Sequence, residues 1–214
     1  AHYSKDPIML DSFRNNEDIH KRTASEIFGV EISDVDNQMR RRAKTINFGL
    51  LYGMSSFGLS SQLEVSRTEA DIFLNNYFER YAAVKTFMIN IVEQAKKDKF
   101  VKTLYNRKIH VPNIEASNYM MRQGSERAAI NGPLQGSAAD IIKIAMINIQ
   151  NWINKSKSNV RMILQVHDEL IFEVPDHFSD EDIKPIIEIM EETTKISVPL
   201  KVEYGFGSNW REAH

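Results

Sequence analysis

Three short stretches of period-two alternation sit in a chain that elsewhere keeps a helical period, and no all-α or all-β fold accommodates both. Phe100–Val111 (FVKTLYNRKIHV) alternates on either side of Asn106-Arg107, and Val160–Val174 (VRMILQVHDELIFEV) sets two apolar, β-branched arms around His167-Asp168-Glu169. Val198, Leu200, Val202 and Tyr204 also alternate, with Pro199 suiting a strand start or an edge. The first stretch predicts a hairpin whose turn lacks the glycine that a tight primed turn prefers. The rest predicts helices. Ser66-Arg67-Thr68-Glu69 has capping-box spacing, and Phe73, Tyr77, Val84, Met88, Ile91 and Ala95 recur at helical intervals as far as Lys97, with a break near Ala82. Ser179–Asp182 offers a second cap, with Pro185 in the first turn and Ile183, Ile186, Ile187 and Met190 on one apolar face. The expectation is an α+β fold, helix-rich first and mixed afterwards. A boundary falls near residues 128–135, and the segment before residue 17 goes with the second part.

Composition removes whole classes of function. The 214 residues are 42% hydrophobic and 26% charged with 9 Gly and 6 Pro, which is globular rather than low-complexity stock. Without a single Cys there is no disulfide scaffold, zinc-thiolate site or cysteine nucleophile. No apolar run approaches the ~20 residues of a membrane span, and Ala1–Asp11 lacks the basic start and apolar middle of a signal peptide. A soluble intracellular protein without membrane partners is the default. Basic and acidic residues number 27 and 29, a net charge of −2, so any polyanion site must be local rather than a property of the whole surface.

Three segments carry possible chemistry. In Arg40–Gly53 (RRRAKTINFGLLYG), Arg40, Lys44, Phe48 and Tyr52 recur every fourth residue. On a helix such a set drifts only about 40° per step and spans about 18 Å, so two cations and two aromatics share one stripe. The cations suit phosphate and the aromatics a base or sugar, the geometry of a nucleotide lying along a helix. The same spacing is equally met by aromatics packed in a core beside a solvated cationic end. His167-Asp168-Glu169 places two adjacent acids between strands, where they can hold a hard cation such as Mg²⁺. Taken alone, the triplet is more simply an exposed turn, although it contains none of the Gly, Asn or Pro that such turns favour. In Glu126–Lys143 (ERAAINGPLQGSAADIIK), Arg127, Asn131 and Gln135 are donors able to reach minor-groove acceptors, and Gly132-Pro133 interrupts the helix between them. A kinked, solvated polar face reads the same way.

In this order the segments resemble the polymerase domain of family A DNA polymerases, bacterial members in particular. RRRAKTINFGLLYG is similar to that family's motif B on the fingers helix, and LQVHDELIFEV (Leu164–Val174) to its motif C on the palm hairpin. AHYSKD at the start, Asp18–His20, ERAAINGPLQGSAADIIK and the closing GSNWREAH fit as well, so the resemblance covers the whole chain.

The resemblance implies a role for each matching position. Arg40 and Lys44 bind the incoming triphosphate, Lys44 also serving as acid for the leaving pyrophosphate, and His20 approaches the β-phosphate. Phe48 packs against sugar and base and selects against dideoxynucleotides. Tyr52 stands beside the templating position. Arg127, Asn131, Gln135 and His167 contact primer–template DNA. Asp168 ligates catalytic Mg²⁺ with Glu169 alongside. The implied subdomains are palm for residues 1–16, fingers for 17–130 and palm with the motif C hairpin for 131–214. The implied partners are primer–template DNA, deoxynucleoside triphosphates and the rest of the polymerase chain, in a bacterial cytoplasm at the nucleoid. The family's motif A strand, with a second metal-binding Asp, lies just before the position where this sequence starts. The chain is therefore expected to be an N-terminally truncated piece, inactive alone because half of the two-metal site is absent. Two alternatives stand beside this reading. One is a non-catalytic nucleotide or primer–template binding module; the other, suggested only by His167-Asp168, is an HD-type metal phosphohydrolase.

Overall fold

Local capping explains where most helices start. In the computed structural model, which describes residues 1–51 and 53–213 with Leu51 traced through its backbone only, the chain divides by contacts into two units, Ala1–Gln135 and the residues from Gly136 onward. The first unit begins with α1 (Pro7–Arg14), α2 (Ile19–Phe28), a 3₁₀ turn (Ile32–Asp34) and α3 (Asn37–Leu51). It continues through α4 (Ser56–Leu63), α5 (Arg67–Arg80) and α6 (Ala82–Asp98) to β1 (Phe100–Lys102) and β2 (Lys108–His110). α7 (Tyr119–Ser156) follows, its residues divided between the two units.

Asp18 caps α2 and Ser55 caps α4, each accepting backbone N–H bonds that the first turn leaves unpaired. The expected capping box opens α5: Glu69 N–H donates to Ser66 Oγ at 3.2 Å, and Ser66 N–H donates to Glu69 Oε2 at 3.0 Å. The break falls at Tyr81 (φ −105°, ψ 58°), a fully buried residue that ends one helix and begins the next. Ile46 and Leu50 of α3 pack with Leu59, Leu63, Tyr77, Tyr81 and Val84 in the main core of this unit.

β1 and β2 pair antiparallel with Phe100 opposite His110. The turn is wider than the expected Asn106-Arg107, running over residues 103–107, and Asn106 takes the left-handed position at φ 62°, a conformation asparagine tolerates better than most residues. Val101 and Ile109 pack with Ala129 of α7 in a second core. A Cβ at Gly132 would lie 3.4 Å from Ile109, so glycine lets the hairpin lie close to the helix.

In the second unit β3 (Arg161–Val166) and β4 (Glu169–Glu173) form an antiparallel hairpin with Val166 opposite Glu169 and a register shift between Met162 and Leu164. α8 (Asp180–Glu192) and the short α9 (Trp210–Ala213) complete it. Ile149, Ile153, Val160 and Ile186 are its core, with Leu170, Phe172 and Ile183 packed on them.

The α+β expectation holds, and besides the wider hairpin turn three local expectations need correction. Gly132-Pro133 does not interrupt α7, which runs for 38 residues with Pro133 inside it. Proline removes one helical N–H, but Pro133 is fully buried, and Tyr3 Oη donates to its carbonyl at 3.2 Å, so surrounding packing holds the turn. Pro185 lies beyond the first turn of α8, because the helix starts at Asp180. Val198–Tyr204 forms no strand among the described residues: Val202 N–H donates to the Glu191 carboxylate at 2.9 Å instead of to a neighbouring strand. Alternation prepares a segment for a sheet, but only a paired backbone makes it a strand. By contacts residues 1–16 group with the first unit, where Ile8 and Met9 pack on the main core.

Candidate functional site

Helix α3 has two faces, one buried and one exposed. Ala43, Ile46 and Leu50 are buried, whereas Lys44 is exposed and Phe48 keeps 44% of its surface in solvent. A ring packed in a core is not left so open, so Phe48 lies on the exposed face of α3. Lys44 Nζ stands 5.9 Å over the Phe48 ring, within cation–π reach. Tyr52, the fourth member of the stripe, lies outside the described residues. Lys44, Thr45 and Phe48 form one wall of a groove of about 260 Å³ that Met54 and Gln62 line as well.

The start of α2 meets this stripe. Asp18 divides its carboxylate: Oδ1 accepts the N–H of His20 at 2.9 Å and of Lys21 at 3.1 Å, and Oδ2 accepts Arg40 Nε–H at 2.7 Å. Partial burial works to raise the Asp18 pKa, but the Arg40 guanidinium and the two backbone N–H bonds outweigh it, and the carboxyl titrates below its ordinary value. The His20 ring lies 5.9 Å from the Phe48 ring. Burial lowers the His20 pKa; Asp18 opposes this and Arg40 and Lys44 add to it, so the ring favours its neutral form. The structure thus gathers His20, Arg40, Lys44 and Phe48 from two helices.

The sequence reading gave no role to the residues that hold this group in place. Asn47 is buried, and its side-chain Nδ2–H groups donate to His20 Nδ1 at 3.0 Å and to Thr23 Oγ1 at 3.1 Å. Thr23 in turn lies 3.4 Å from the buried Tyr81 hydroxyl. One signal was available: Asn47 is a polar residue on the face of α3 that also carries Ala43, Ile46 and Leu50. The Asp18–Arg40 pair left no such trace.

Arg127, Asn131 and Gln135 recur along α7, the outer two exposed and Asn131 half-buried. Arg127 is brought to the end of the α3 segment: a Cβ built on Gly53 would lie 2.5 Å from Arg127 Cγ, and Gly53 itself has φ +65°. Two segments distant in sequence therefore touch where the stripe ends.

In the second unit His167 and Asp168 are the two residues between β3 and β4, and Glu169 opens β4. His167 takes φ 53°, and its carbonyl accepts the Gln165 side-chain amide at 2.5 Å. His167 and Asp168 are exposed and Glu169 is half-buried. Carboxylates such as these, one on the turn and one at the head of β4, are hard oxygen donors of the kind Mg²⁺ takes. Among the described residues, no group of three or more His, Cys, Asp or Glu side chains could hold a metal ion. The further His and Asp ligands of an HD-type phosphohydrolase are likewise not gathered here.

The family model for DNA polymerase family A matches residues 1–212. The chain belongs to DNA polymerase family A. It is 47% identical over its whole length to DNA polymerase I of Pseudomonas aeruginosa and 46% identical over 99% of its length to that of Caldicellulosiruptor bescii. It spans only 23% and 25% of those relatives, about a quarter of each. It is also similar to a solved structure described as the POL domain of Pol1 from M. smegmatis in complex with DNA primer-template and dNTP. The TM-score is 0.96 and the identity 41%, over all of this chain and 38% of that one. Among the described residues, no helix is long and apolar enough to cross a membrane.

Proposed function

We propose that this chain is part of a DNA-directed DNA polymerase that extends a primer 3′-hydroxyl with deoxynucleotides, and that its first unit holds the incoming nucleotide. The observation that carries the reading is the meeting of His20 with Arg40, Lys44 and Phe48 on the open face of α3. Likeness to a polymerase domain bound to primer-template and dNTP supports it. In this reading Arg40 and Lys44 bind the triphosphate as cations, and Lys44 gives its proton to the leaving pyrophosphate. His20 donates to the β-phosphate, and Phe48 covers the sugar and base. Tyr52 stands beside the templating base, and Arg127, Asn131, Gln135 and His167 hold the primer–template. Asp168, with Glu169, holds Mg²⁺ in the second unit. When bound, that ion supplies charge stabilisation at the attacking and leaving oxygens.

The proposed subdomains are palm for residues 1–16 and 131–214 and fingers for 17–130. The proposed setting is the nucleoid of a bacterial cytoplasm, and the remaining partner is the rest of the polymerase. The 214-residue chain alone is expected to bind nucleotide without extending primers, because Asp168 and Glu169 would make only part of a two-metal site. Primer extension by the whole polymerase tests the reading. Asp168→Ala should abolish extension while leaving the protein folded by circular dichroism, and retained extension would sink the assignment. Extension by the 214-residue chain purified free of host polymerase would sink the expectation that it is inactive alone.

A further inference from the structure

We infer that Asn47 is a positioning residue that fixes the tautomer of His20, so that the imidazole offers an Nε2–H donor to a phosphate oxygen lying along α3. The inference rests on the nucleotide-binding reading above and goes beyond it in naming the group that sets the histidine's chemistry. Asn47 turns its amide nitrogen, a group that can only donate, toward His20 Nδ1 at 3.0 Å, and the same amide meets Thr23 Oγ1 at 3.1 Å from Nδ2 and 3.3 Å from Oδ1. A ring nitrogen that accepts a hydrogen bond carries no proton, so in a neutral imidazole the proton sits on Nε2.

Asn47 is itself anchored. It is only 8% exposed, and Thr23, its second partner, lies 3.4 Å from the Tyr81 hydroxyl at the buried break between α5 and α6. On its open side the ring lies 5.9 Å from Phe48, tilted by 39°. The imidazole is thus held by a hydrogen bond on Nδ1 and by ring packing, and Nε2 is the nitrogen assigned to the ligand.

The charged groups around His20 are Asp18 on its own helix and Arg40 and Lys44 on α3. Burial and the two cations lower the ring's pKa against the pull of Asp18 and so favour the neutral form. A carboxamide at position 47 suits this arrangement and a carboxylate does not. Asn47→Asp would accept from Nδ1–H, moving the proton to the wrong nitrogen and favouring the charged ring.

Ring-nitrogen chemical shifts of His20 in ¹⁵N-histidine-labelled chain, measured at pH 8, test the tautomer directly. The wild type should be protonated at Nε2. Asn47→Asp should move the proton to Nδ1 and raise the His20 titration midpoint above the ordinary 6.5. Calorimetric titration with dATP and Mg²⁺ supplies the second readout. Asn47→Leu should weaken binding by at most about tenfold, the ceiling set by losing the His20 hydrogen bond to a charged group, and should add nothing to His20→Ala in the double variant. Wild-type His20 protonated at Nδ1, or losses that multiply in the double variant, would overturn the inference. Failure of wild type to bind dATP would count against the nucleotide reading instead, and the wild-type nitrogen shifts, which need no variant to fold, would still decide the tautomer.

Discussion

Gly53→Ala tests the contact between the end of the α3 segment and α7. Gly53 has φ +65°, and an added Cβ would stand 2.5 Å from Arg127 Cγ, 3.2 Å from Cδ and 3.3 Å from Cβ. The left-handed backbone costs an alanine about 1–2 kcal/mol. Displacing a flexible arginine from a settled rotamer adds about 0.5–1.5 kcal/mol. For a chain of this size each kcal/mol lowers Tm by about 2–4 °C, so the substitution should lower it by ~3–14 °C. The two contributions separate in an Arg127→Ala background, where the Cγ and Cδ contacts vanish and only the backbone cost and the 3.3 Å approach remain. Denaturant unfolding of the four proteins should therefore show Gly53→Ala costing about 0.5–1.5 kcal/mol less beside Arg127→Ala than beside wild-type Arg127. Equal costs in both backgrounds would mean that Arg127 does not pack on Gly53. A neutral or stabilising Gly53→Ala would mean that the left-handed backbone itself is wrong, since the smaller unfolded-state entropy of alanine would then decide the sign.

The depressed Asp18 pKa gives a signed pH effect. Its carboxylate contributes stability above its ordinary value of 3.8, and that contribution is lost as pH falls through the lower folded value. Asp18→Asn should therefore flatten the acid limb of a stability–pH curve, and an unchanged limb would remove the Asp18–Arg40 pair from the account. Phe48→Tyr in the whole polymerase should increase incorporation of dideoxynucleotides relative to deoxynucleotides in a chain-termination assay. An unchanged ratio would detach Phe48 from the sugar.

What was legible in the sequence was whatever a short span of chain decides by itself. Ser66 and Glu69 make their capping box within one turn, so spacing alone found it, and the two strand arms around His167-Asp168-Glu169 were legible too, although Glu169 joins β4 and leaves a two-residue connection. The stripe on α3 was legible as a stripe, but setting aside a core role for Phe48 needed its exposure, which depends on what packs against the opposite face. The contacts that hold the site were not legible because they are tertiary. Arg40 meets Asp18 across 22 residues and Asn47 meets His20 across 27, and neither pairing leaves a periodic trace. Val198–Tyr204 failed for a related reason, since a strand requires a partner that local alternation cannot supply. Pro133 marks the opposite case, a strong local breaker overridden by burial within a long helix.

The central claim is that α2 and the open face of α3 hold a nucleoside triphosphate. Calorimetric titration of the chain with a deoxynucleoside triphosphate and Mg²⁺, comparing wild type with Lys44→Ala, tests it most directly. The account predicts binding by the wild type and a loss of about tenfold or more on removing the Lys44 ammonium, one charged partner of the phosphates. Unchanged affinity in a folded Lys44→Ala variant would contradict it.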